Sequence, residues 1–98
     1  MEAWEFEADL FEYSGKGSWH FVTLPADVAF AIRCVTGNSR SGWGMVAVMA
    51  ETAGVGFRTS LFPEKASSSY LLPVKAAVRK AARLEAGDSL KVRIALLP

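Results

Sequence analysis

The sequence predicts a mainly β domain with two short helices (α+β), its six strands curling into a small closed or partly open barrel. Three observations carry that reading. Both ends of the chain alternate apolar and charged residues with period two, as half-buried strands do. Only two stretches space their apolar residues as a helix would, and a proline opens each of them. The rest consists of short β-branched or aromatic runs separated by glycine- or serine-bearing turns, a spacing typical of barrels and sandwiches.

The elements follow in order. Residues 3–13 form the first strand, with Trp4, Phe6, Ala8 and Leu10 on one face and Glu5, Glu7 and Asp9 on the other. Two glycines in residues 14–17 supply a turn. Residues 18–24 form the second strand, which Pro25 ends because it has no N–H to give the ladder. A helix over 25–35 places Val28, Ala31, Ile32 and Val35 at helical spacing. A loop with three glycines and Trp43 then leads to a hairpin of strands 44–51 and 55–62 around the turn at 52–54. After a polar excursion at 63–69, a short strand over 69–72 precedes a helix over 73–84 opened by Pro73. Gly87 turns the chain, with positive φ, into the last strand, 88–96. Pairing of the first strand with the last would set Glu5, Glu7 and Asp9 beside Lys91 and Arg93 and remove two exposed edges. The expected core is Phe6, Leu10, Phe21, Val46, Val48, Leu61, Val78, Val92 and Ile94.

Composition narrows the function classes. Ninety-eight residues, 51% hydrophobic and 21% charged, make one globular domain with no sign of disorder. A net charge of +1 gives no general attraction to nucleic acid or an anionic membrane. Cys34 is alone, so no intrachain disulfide forms and a reducing, cytoplasmic setting is expected. The acidic, alternating start is unlike a signal peptide, and no apolar run reaches the length of a membrane span.

Catalytic and metal-binding readings find little support. One His and one Cys exclude a His/Cys zinc site, and Glu5, Glu7 and Asp9 read as a solvated strand face. Cys34 beside His20 would be a nucleophile pair, but a single Cys late in an apolar helix reads as a small core residue. Ser60 and Lys75 match no serine–lysine motif. No catalytic residue, metal or cofactor is therefore assigned. The chemistry-bearing feature is the basic stripe Lys75, Arg79 and Arg83 at i, i+4, i+8, which with Arg58 and Lys65 would hold a small anion, helped by the start of the second helix. Its competing reading is the wet face of an amphipathic helix. Trp43, in a loop between glycines, serves as a stacking platform, a dimer contact or a lid.

Several motifs carry a resemblance to a known family. They are "W-x-F-V-x-L-P" at 19–25, the Ile32–Arg33 pair, "T-S-L-F-P" at 59–63, "Y-L-L-P-V" at 70–74, "R-x-A-x-x-L" at 79–84 and Gly87–Asp88. Together they resemble the domain of unknown function 1905 family, small bacterial and archaeal proteins. The resemblance implies a small β-barrel, sometimes grouped with the double-split barrels that include AbrB-like DNA-binding domains. It brings no catalytic residue with it. One departure is residues 64–69, where a glycine-containing turn is expected before Tyr70. The expected function is a non-enzymatic module that binds a small anionic ligand or a protein partner, as monomer or homodimer. Its ligand residues are Arg79, Arg58, Lys75 and Trp43. Nucleic-acid binding by analogy with AbrB-like barrels is the alternative, and near-neutral charge counts against it.

Overall fold

The structure, a computed structural model, describes residues 2–13, 19–36 and 44–98. Its elements are β1 (Ala3–Asp9), β2 (Phe11–Glu12), β3 (His20–Thr23), α1 (Ala26–Thr36), β4 (Val46–Thr52), β5 (Val55–Glu64), β6 (Ser69–Pro73), α2 (Ala76–Ala82) and β7 (Ser89–Leu96). The strands form one curled antiparallel sheet, a half-barrel, in the order β1-β7-β4-β5-β6-β3-β2.

Seven strands replace the expected six because the first is broken at Leu10. Residues before it pair with β7, and residues after it pair with β3. The break is pinned from both sides: the Leu10 amide donates to the Asp88 carbonyl (2.8 Å), and the Gly87 amide donates to the Leu10 carbonyl (2.7 Å). Gly87 takes φ 99, as the turn into the last strand requires. β5 also changes partner along its length, from β4 up to Leu61 to β6 from Phe62. The sheet thus has two halves joined through shared chain.

The first and last strands pair as their charges suggest, with Glu5 opposite Arg93 and Glu7 opposite Lys91. Arg93 and Glu5 meet at 3.3 Å, but both side chains are well exposed, so the pair contributes less than about 1 kcal/mol. Behind this charged face, even-numbered residues of β4 and β7 point inward. Val46, Val48, Ala50, Leu90, Val92 and Ile94 join Leu10, Val22, Leu61, Leu72 and Val78 in the core. Phe6 is only half-buried, unlike the rest of the expected set, because it packs at the margin of the core rather than inside it.

Three further expectations are corrected. Pro73 ends β6 opposite Phe21, and α2 starts at Ala76. A strand's last residue has little need of its N–H, so proline fits there as well as in a helix start. The helix ends at Ala82, short of the expected residue 84, where Arg83 turns left-handed (φ 58) and its amide donates to the Lys80 carbonyl (3.3 Å). Cys34 is exposed on α1, whose packed face is instead Val28, Ala29 and Ile32. In the turn after β5, Ser68 takes φ 56, supplying the backbone shape for which a glycine was expected.

Candidate functional site

The two halves of the sheet present different outer faces. On the β1-β7-β4 half, cross-strand pairing sets Arg93 between Glu5 and Glu51. This half carries a hollow of about 550 Å³ bordered by Glu5, Glu7, Glu51, Lys91 and Arg93. Its cations already face carboxylates, so it is an internally balanced surface rather than a site with unmet charge. Among the described residues, no three His, Cys, Asp or Glu side chains group to hold a metal ion.

The β2-β3-β6 half is aromatic. Phe11 lies opposite Phe21, and the Tyr13 amide donates to the Trp19 carbonyl (2.8 Å), so that Tyr13 and Trp19 form the next pair. Phe21 in turn lies opposite Pro73, and the Val74 amide donates to the His20 carbonyl (2.9 Å). Continuing this register by one pair sets Trp19 across from Lys75. Side chains directly opposite one another share a face, so Tyr13, Trp19 and Lys75 line up beside Phe11, Phe21 and Pro73. Phe21 is buried by its neighbours: Trp19 stacks on it (6.1 Å, 11°), and Tyr13 meets it edge-on (6.1 Å, 85°).

Beside this cluster runs a groove of about 300 Å³ lined by Trp19, His20, Pro73, Val74, Lys75, Ala76 and Arg79. Arg79 reaches it from α2, and its Nη1 donates to the Val74 carbonyl at 2.6 Å, which anchors one end of the guanidinium. A guanidinium has five N–H donors, so most of that fork remains for other partners. Lys75 stands exposed at the N-cap of α2. The helix itself is seven residues long, so the groove's positive character rests on side chains rather than on the helix start.

Of the residues expected to hold an anion, Arg79 and Lys75 border this groove. Arg58 does not: it lies opposite Met49, on the part of β5 that pairs with β4. Arg83 does not line it either, because it closes α2 as the C-cap. Trp43 lies outside the described residues. Trp19, expected from the sequence to start a strand and to be partly exposed, is 53% exposed and forms the groove's aromatic wall. A partial signal for the aromatic cluster was present: within the first strand the aromatic residues switch from even positions (Trp4, Phe6) to odd ones (Phe11, Tyr13), which aims the later pair at the other face.

Family comparison agrees with the motifs: the model of the Domain of unknown function (DUF1905) matches residues 6–94. The chain belongs to this family. No curated protein matches its sequence. As a DUF1905 domain it inherits no assigned reaction, so its chemistry must be argued from the groove. No helix among the described residues is long and apolar enough to cross a membrane.

Proposed function

We propose that this DUF1905 domain is a binding module, not an enzyme, and that it seats a small anion in the groove between Trp19 and Arg79. One observation carries the reading. The two cations Lys75 and Arg79 border a single groove whose other walls are the apolar Trp19, Pro73, Val74 and Ala76 together with His20. Apolar walls lower the local dielectric, and charge-assisted hydrogen bonds strengthen there. The guanidinium held by the Val74 carbonyl offers a carboxylate or phosphate a preset fork. The nucleic-acid alternative draws less support, since the outer face of the other half alternates Glu5, Arg93 and Glu51 instead of forming a basic stripe.

A thermal-shift screen of phosphate, citrate and nucleotides, followed by calorimetry, tests the proposal. A partly desolvated Arg–oxyanion contact contributes about 1.5–3 kcal/mol, so Arg79→Ala weakens binding at least about tenfold. Lys91→Ala, on the balanced half of the sheet, leaves binding unchanged. If no anion stabilises the protein, the groove is only a feature of the surface and the proposal fails.

A further inference from the structure

We infer that the ligand is an anion carrying a flat ring, the ring lying on the indole of Trp19 and the oxyanion meeting Arg79 and Lys75. This rests on the anion-binding reading above and adds the class of ligand. The argument starts from how Trp19 is held. One face of its indole lies parallel to Phe21 at 6.1 Å between centroids, an offset stack. Tyr13 and Phe11 pack around the same Phe21 ring, at 6.1 Å and 6.2 Å, so the support is itself held in place. Trp19 nevertheless remains 53% exposed. About half of its surface is left uncovered by its neighbours.

The exposed indole borders the groove. Phe21 lines a separate hollow with Tyr13, Trp19 and Leu71, and is absent from the groove that holds Lys75 and Arg79. Trp19 is the wall common to both. Trp19 thus stands between its aromatic support and the groove that holds the cations. A bare phosphate is helped by the apolar walls but makes no use of a preset aromatic plane. A flat ring uses both, since stacking on an exposed aromatic rewards any π face. The groove's volume of about 300 Å³ sits at the small end of ligand pockets, enough for one ring system with one acidic group. A nucleoside monophosphate and an aromatic carboxylate share that chemistry.

The test compares ligands with and without a ring: AMP against ribose 5-phosphate and inorganic phosphate, and indole-3-acetate against acetate. Calorimetry should show the ring-bearing member of at least one series binding about tenfold more tightly, in line with stacking on a fixed platform. The series that shows the gain identifies the source of the ring. Trp19→Ala should cost the ring-bearing ligand about tenfold more affinity than it costs phosphate, and Trp19→Phe should keep most of the gain. The chain also contains Trp4 and Trp43, so fluorescence quenching by ligand must disappear in Trp19→Phe to be assigned to this residue. Circular dichroism confirms that each variant is folded. Equal affinity with and without a ring, or a Trp19→Ala loss shared equally by phosphate and AMP, overturns the inference. In either case the anion reading survives if Arg79→Ala weakens phosphate binding, and absence of binding by every ligand ends both.

Discussion

Replacing Gly87 with alanine isolates the conformational demand of one turn. A Cβ built at Gly87 meets nothing within 4 Å, so no clash contributes to the effect. The residue sits at φ 99, a backbone shape that L side chains rarely adopt. Forcing alanine there costs about 1–3 kcal/mol. Stiffening of the unfolded chain returns about 0.4–1 kcal/mol. Taking the centre of each range, the net loss is about 1.3 kcal/mol, against a total stability of about 5–15 kcal/mol for a domain of this size. Urea unfolding followed by circular dichroism reads it directly. With a slope near 2 kcal/mol per molar, the midpoint falls by about 0.5–1 M while the slope stays unchanged. Gly54→Ala, at φ 79 with equally open surroundings, should behave alike. An unchanged or raised midpoint for Gly87→Ala would refute the reasoning, because it would mean that the turn accepts an ordinary φ.

Two other outcomes are expected. Leu10→Ala removes a side chain that is 1% exposed at the junction of the two sheet halves, and should cost about 2–5 kcal/mol in the same urea assay; a loss below about 1 kcal/mol would show the junction to be loosely packed. Ala53 and Ser68 both hold positive φ (51 and 56) without being glycine, so Ala53→Asn and Ser68→Asn should each raise stability by a few tenths to about 1 kcal/mol, visible as a higher melting temperature.

What the sequence revealed depended on whether a residue's neighbours left a periodic trace. The pairing of first and last strands was legible because Glu5 and Glu7 repeat with the period at which Arg93 and Lys91 answer them. The break at Leu10 was harder to see, since Leu10 continues the apolar series of Trp4, Phe6 and Ala8 and only the residues beyond it shift phase. Pro73 was ambiguous in itself: the ring that suits a helix start suits a strand end equally well, and β6 settled the matter by tertiary pairing with Phe21. The grouping of Lys75 with Arg79 follows from helical spacing, which brings residues four apart to one side. The separation of Arg58 from them does not, because it arises from β5 changing partners near Leu61. Cys34 shows the limit of composition: an apolar helix was assumed to bury it, yet α1 packs through Val28, Ala29 and Ile32 and turns Cys34 outward.

The strand that changes partner at Leu10 has a consequence for how the domain comes apart. Separating the aromatic half from the charged half would require the chain on both sides of Leu10 to let go of its hydrogen bonds to Gly87 and Asp88, and β5 to tear at Leu61 as well. Neither half owns a complete set of strands, so neither can melt while the other persists. Slow amide exchange should therefore appear at similar free energies in β3 and β6 and in β4 and β7, as a single cooperative unit. The groove beside Trp19 is thereby mounted on the full stability of the molecule, including that of the charged face on its far half.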